Sequence, residues 1–280
     1  MTTACEPAFT ELYWDQRRIR LEYTFVGVDS PVAPLIVFLH EGLGSLRLWR
    51  DFPNQLCAAT RCRGLVYSRP GYGQSTPYPA NQCWGSDFMH RQAYEVLPAL
   101  LTKLGIDGSR ERIYLFGHSD GASIAMLYAS RYADLVNGMI VVAPHVMVEA
   151  VTVNSIKRLK ETYDTGEIKV KFAAHHIDAD ATFDGWSQVW LDQVFRNWSI
   201  ESELNKIQSP LLIVQGTKDE YGTVDQVNRI IQNLPNSEYV EIPGCGHAPH
   251  RTHPDALLSY STLFIQTIAT RRPIPPSDRM

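Results

Sequence analysis

Residues 19–25 alternate. Ile19, Leu21, Tyr23 and Phe25 fall on one side, and Arg20, Glu22 and Thr24 on the other. A period of two predicts a half-buried strand, of the antiparallel kind that can leave one face in water. The next apolar segment is different. Leu35–Leu39 (LIVFL) has no polar position, as expected of a strand covered on both faces. Similar runs recur at 64–67, 113–116, 139–142, 211–214 and, interrupted by Glu241, 239–242, and segments with helical spacing cover 49–59, 88–104, 122–133, 224–234 and 256–268. Strands that alternate with helices imply an α/β fold: a mostly parallel sheet with helices on both faces.

One interval breaks the rhythm. Between Pro144 and Pro210 the pattern is helical and aromatic, with Trp186, Trp190, Phe195 and Trp198. A bare loop of that length is rare in a compact domain. Residues 145–207 are therefore expected to form a helical cap over the strand ends, and 1–144 with 208–280 to form the core. The closing RRPIPPSDRM is Pro-rich and polar, the composition of a disordered end.

The chemistry sits where strands end. Gly117-His118-Ser119-Asp120-Gly121 follows the run IYLF and precedes a helical segment, the setting a G-x-S-x-G nucleophile elbow requires. The tight turn exposes the serine oxygen above the sheet, and the following helix points its N-terminus at the site. His40-Glu41-Gly42-Leu43-Gly44-Ser45 comes directly after LIVFL, where a second backbone donor is needed. A tetrahedral intermediate requires two converging N–H groups. The backbone of Asp120 supplies one, and Gly42 or Leu43 the other. A hydrolytic serine also needs a base and an acid that orients it. Asp219 lies just past the run LLIV, and His247 in a glycine-rich turn after the last strand. Glu220 and Asp225 are alternative acids, and His250 and His253 alternative bases.

Together GHSDG, HEGLGS, GTKDEYG and GCGHAPH resemble the α/β-hydrolase superfamily, over about residues 19–268. The resemblance implies an eight-stranded sheet with a helical cap after the sixth strand, and the chain order Ser119, Asp219, His247. The sequence departs from the family in two places. His-Glu-Gly replaces the commoner His-Gly pair, and Ser68-Arg69 stands where an Asp often precedes the Pro-Gly turn. The resemblance therefore assigns no role to Arg69.

Composition removes other classes. Lys and Arg total 26 against 30 Asp and Glu, a formal charge of -4, which offers nothing to attract nucleic acid or an anionic membrane. Five scattered cysteines without a C-x-x-C pair fit neither a disulfide framework nor a zinc site. His175, His176, Asp178 and Asp180 lack further ligands at metal spacing and read as cap surface. The first residues have no apolar signal core, and no run reaches transmembrane length, so a cytoplasmic protein is expected. No cofactor or metal is expected. The function implied is a serine hydrolase that cleaves an ester or related acyl bond of a small molecule. C–C bond hydrolysis or thioester hydrolysis on the same triad remains open, as does a ligand-binding protein without catalysis. Glu41, Trp186 and Trp190 are candidate pocket residues. Acids beside the oxyanion donors, Glu41 and Asp120, either turn outward or, if one faces the pocket, disfavour anionic acyl groups.

Overall fold

In the computed structural model, which describes residues 6–79 and 84–271, the unbroken apolar runs become the interior of one eight-stranded sheet. The strands are β1 (Ala8–Trp14), β2 (Arg17–Gly27), β3 (Leu35–Leu39), β4 (Arg63–Tyr67), β5 (Ile113–His118), β6 (Gly138–Val142), β7 (Leu211–Gly216) and β8 (Glu238–Ile242). Their order across the sheet is β1-β2-β4-β3-β5-β6-β7-β8. β2 runs antiparallel to β1 and β4, and the remaining neighbours are parallel. Every residue of β3, β5, β6 and β7 is buried, which is why those strands show no polar alternation.

The helices are α1 (Phe52–Thr60), α2 (Phe88–Arg91), α3 (Leu97–Lys103), α4 (Asp120–Arg131), α5 (Ala150–Asp164), α6 (Glu167–Ala173), α7 (Ala179–Leu191), α8 (Glu201–Leu204), α9 (Val224–Asn233), α10 (Pro249–Thr252) and α11 (Pro254–Arg271). Successive side chains of a strand face opposite ways, so the sheet builds two cores. Leu35, Val37, Leu39 and Leu115 pack with residues of α3 and α4 on one face. Ile36, Phe38 and Phe116 pack with Phe52 of α1 and Phe264 of α11 on the other. Helices α5 to α8 form the insertion between β6 and β7, held together by aromatic contacts such as the Tyr163–Phe183 stack at 3.8 Å.

Three sequence expectations change. Strand β1 has no counterpart in the hydropathy reading, because it is an edge strand with a mostly exposed AFTELYW pattern. In β2 the polar side faces water only at Arg20: Thr24 is buried, and Glu22 is buried beneath the turn that follows β4, where it accepts from Ser68 Oγ at 2.7 Å and the Gln74 N–H at 3.0 Å. The helix expected over 49–59 starts later. Leu46–Trp49 is a 3-10 turn, and α1 begins at Phe52 with Pro53 in its first turn, where a missing N–H costs nothing. The disorder expected at the C-terminus concerns residues 272–280, which lie outside the described residues.

Candidate active site

Strand β5 ends at His118 and α4 begins at Asp120, so Ser119 alone makes the turn. Its φ of 55° with ψ of -120° is a backbone state that L residues seldom adopt. The flanking glycines are steric necessities. A Cβ on Gly117 would lie 2.3 Å from Gly121 O, and one on Gly121 would lie 1.9 Å from Leu39 O. The turn is tied down by the Ser119 N–H, which donates to Val142 O at 2.9 Å.

Two loops far along the chain meet this serine. Ser119 Oγ lies 2.9 Å from His247 Nε2, and His247 Nδ1 lies 2.8 Å from Asp219 Oδ1. With Nδ1–H donating to the carboxylate, Nε2 is free to accept the serine proton. Asp219 is fixed in turn by the Tyr221 N–H at 2.8 Å and by Gln215 Nε2 at 2.8 Å. Burial would raise the Asp219 carboxyl, but His247 and the Tyr221 N–H outweigh it and hold its pKa below the ordinary value. Burial would likewise depress His247, but the Asp219 charge and hydrogen bond prevail and raise it. The alternatives lie elsewhere. The Glu220 side chain accepts from the His247 backbone N–H at 3.1 Å, Asp225 is exposed on α9, and His253 Nδ1 contacts Thr252 Oγ1.

The loop after β3 is braced from below. Glu41 O accepts from His40 Nδ1 at 2.8 Å, from Arg69 Nη2 at 2.8 Å and from the Gly44 N–H at 3.0 Å. Gly42 is packed so closely that a Cβ there would lie 2.1 Å from Trp186 Nε1.

Glu41, Gly42, Leu43, Ser119, Asp120, Trp186, Trp190 and His247 all line one cavity of about 430 Å³, the size of a small-molecule site. Its far wall is apolar and comes from the insertion: Ile156 and Leu159 of α5, Ile168 and Phe172 of α6. Of the two acids that were candidates for setting charge preference, Glu41 is paired and Asp120 is buried. Glu41 pairs with Arg251 Nη2 at 2.9 Å and faces His118 Nδ1 at 3.5 Å. His118 Nε2 donates to His247 O at 2.7 Å, so this chain of contacts ties the loop after β3, the elbow and the histidine loop together. Glu41, His118 and His250 bring three possible metal-ligand atoms within 4.8 Å of one another, but the Arg251 guanidinium already supplies the cation there. Asp120 has both carboxylate oxygens buried beside the indole N–H groups of Trp186 and Trp190, which favour its charge without closing hydrogen bonds of normal geometry. Burial is the larger effect and pushes its carboxyl up to about 6. Arg50 and Lys171 stand exposed at the cavity mouth, and among the described residues neither has an ion-pair partner.

The structure adds residues that the sequence reading missed. His145 follows β6, lines the cavity and lies 5.7 Å from the His247 ring; burial first, then His247, lower its pKa to about 3, so it is neutral. Its position at the C-terminal end of a parallel strand was the available signal. Tyr221 and Arg251 also line the cavity, each near a catalytic candidate in sequence. His176, set aside as cap surface, is buried and accepts from the Gly73 N–H at 2.9 Å, which joins the insertion to the core.

A mostly parallel sheet with a strained serine at the end of its central strand, reached by a His and an Asp from later loops, defines a hydrolase architecture. The chain belongs to the alpha/beta hydrolase family, whose model matches residues 36–259. A 2-hydroxy-6-oxononadienedioate/2-hydroxy-6-oxononatrienedioate hydrolase of Paraburkholderia phymatum is 25% identical, with 88% of this chain and 91% of the relative covered. A putative carbamate hydrolase RutD of Pseudomonas savastanoi pv. phaseolicola is 27% identical over 79% of this chain and 90% of its own. Among solved structures, an esterase of Thermogutta terrifontis superposes with a TM-score of 0.70 at 17% identity, covering 94% of this chain and 99% of that one. A membrane phospholipase A superposes with a TM-score of 0.73 at 19% identity, covering 94% and 87%. Among the described residues no helix is long and apolar enough to cross a membrane.

Proposed function

We propose that Ser119, His247 and Asp219 are the catalytic triad of this hydrolase, acting on a small-molecule ester or related acyl bond. The observation that carries the reading is the continuous contact from Ser119 Oγ through His247 to Asp219, 2.9 Å and 2.8 Å, in a cavity of substrate size. Ser119 Oγ attacks the carbonyl carbon while its proton passes to His247 Nε2. The oxyanion that forms is held by the backbone N–H of Asp120 and of the loop after β3. His247 then gives its proton to the leaving group, and an acyl-enzyme remains. Water attacks that ester with His247 again as base, and Ser119 is regenerated. Asp219 keeps the imidazole in the tautomer this sequence needs. Residues 145–207 act as the cap, closing the apolar side of the site. The buried free thiols of Cys57, Cys62 and Cys245 suit a reducing, cytoplasmic setting.

The charges at the mouth bear on substrate choice. Glu41 is neutralised by Arg251 and Asp120 is buried, so Arg50 and Lys171 outweigh the exposed acid Glu220 that also lines the cavity. A substrate whose remote end is anionic is therefore favoured over a cationic one, in line with the alternative in which neither Glu41 nor Asp120 sets the charge preference.

A fluorophosphonate probe is expected to label Ser119 and abolish turnover. In a panel of matched p-nitrophenyl esters, kcat/KM is expected to rise from cationic to neutral to anionic acyl tails, by about fivefold per step at low salt, and to level off at high salt. Absence of labelling in a folded protein would overturn the triad, and an opposite or salt-independent order would overturn the charge reading alone. Thioester and C–C substrates in the same panel separate the neighbouring chemistries.

A further inference from the structure

We propose that Arg69 is the positioning residue of the oxyanion hole: it fixes the Glu41–Gly42 peptide so that the Gly42 N–H, not that of Leu43, meets the substrate oxygen. The proposal rests on the reading of Ser119 as nucleophile. It starts from a buried cation without a counter-ion in contact. Arg69 is wholly buried, and among the described residues no carboxylate lies within ion-pair distance of it. Burying an unpaired guanidinium is costly, so its polar contacts must account for its place.

Those contacts run to the His40 ring, including Nη2 to Nδ1 at 3.3 Å, and to one carbonyl that His40 shares. Arg69 Nη2–H donates to Glu41 O at 2.8 Å. The Arg69 backbone N–H donates to His40 Nε2 at 3.1 Å, and Nε–H points at the same atom from 3.4 Å. His40 Nε2 therefore carries no proton. The proton sits on Nδ1 and donates to Glu41 O at 2.8 Å, the second donor on that oxygen. The Gly44 N–H is the third, at 3.0 Å. A carbonyl oxygen has two lone pairs, so three donors over-determine its direction. In a trans peptide the C=O and the N–H that follows it point in opposite directions. With Glu41 O held down toward Arg69, the Gly42 N–H is aimed up into the cavity that Gly42 and Ser119 both line.

Arg69 is itself held from three sides. Its guanidinium lies over the Tyr72 ring at 4.6 Å. Glu22 anchors Ser68 and Gln74 on either side of it, and Ser75 Oγ donates to Ser68 O at 2.6 Å. The charge has a second use, because it lies close enough to Asp120 to offset that buried carboxylate, which would otherwise oppose a developing oxyanion.

The test uses Arg69→Lys and Arg69→Met in the full-length enzyme. Arg69→Lys keeps the charge and loses the forked geometry. For Arg69→Lys, kcat on a neutral p-nitrophenyl ester is expected to fall by about ten- to a hundred-fold with KM held within about twofold, because the lost alignment serves the transition state and not the ground state. Arg69→Met should lose more. Affinity for an aryl boronic acid, whose Ser119 adduct is a tetrahedral boronate anion with a hydroxyl oxygen in the place of the oxyanion, should fall by the same factor as kcat. Ester binding in a Ser119→Ala background should be unaffected by Arg69→Lys. A role in folding alone would lower the melting temperature without that split. A crystal structure of the wild-type boronic acid adduct needs no variant to fold, and is expected to place the adduct oxygen on the Gly42 and Asp120 N–H groups. The proposal is overturned if that oxygen meets Leu43 instead, or if folded Arg69 variants keep wild-type kcat. A wild type that neither cleaves esters nor takes up the boronic acid overturns the nucleophile assignment, and this inference with it.

Discussion

Replacing Ser119 by alanine is expected to lower kcat by about a million-fold while leaving the fold intact. The rate falls because no other group can reach the carbonyl carbon from the position that the elbow holds. The fold survives because the change removes only the oxygen. Alanine has the same Cβ as serine, so the strain at φ of 55° is unaltered. The hydrogen bond to His247 is lost, but that ring stays fixed by Asp219 through Nδ1. Ser119→Gly makes the contrast. It removes the nucleophile and also relieves the backbone, and so is expected to raise stability by about 1 kcal/mol. Steady-state rates with an active-site titration, alongside thermal melts, measure both effects. A purified, folded Ser119→Ala protein with near-normal turnover would end the assignment of Ser119.

The elbow and the residues of the proposed triad could be picked out in the sequence because each sits at a fixed offset from an apolar run. Gly117 and Gly121 flank the serine for steric reasons that no other residue satisfies. Asp219 and His247 follow β7 and β8 at the ends where parallel strands place their chemistry. The insertion was legible as helical and aromatic, and two of its tryptophans, Trp186 and Trp190, line the cavity. What escaped was long-range. Glu22 reads as the wet side of an alternating strand, and only the turn after β4 folding over it makes it a buried anchor. Arg69 departs from the family pattern at its position. Its role rests on a carbonyl 28 residues away, which no local periodicity reports. His118 and His250 are unremarkable singly and gain meaning when the elbow and the histidine loop meet at Glu41. Strand β1 was lost because an edge strand needs only partners, not burial, to form.

His247→Ala is expected to be about as damaging as loss of the nucleophile, since members of a triad act as a unit. Other nearby histidines cannot substitute. His145 and His250 are buried and both driven down to about 3, chiefly by burial, so they are too weakly basic to activate a hydroxyl. His250 contacts the Glu41 cluster, so its removal should cost activity by a smaller factor through the loop it braces. His253→Ala should leave kcat near wild type. The acid gives a sharper signature. Asp219→Asn is expected to lower kcat by about ten-thousand-fold, because the amide favours the wrong imidazole tautomer. It should also move the pH profile. The base must be unprotonated to act, so kcat/KM rises with pH through the His247 pKa. Asp219 holds that pKa above its ordinary value by stabilising the imidazolium. Without the carboxylate the imidazolium loses its partner, and the acid limb of the profile should shift to lower pH even as the plateau falls. Profiles of kcat/KM for wild type and Asp219→Asn on one ester decide the matter. An acid limb that stays in place, with kcat unchanged, would mean that another carboxylate orients His247. Glu220, bonded to the backbone of the same residue at 3.1 Å, would then be the group to replace next.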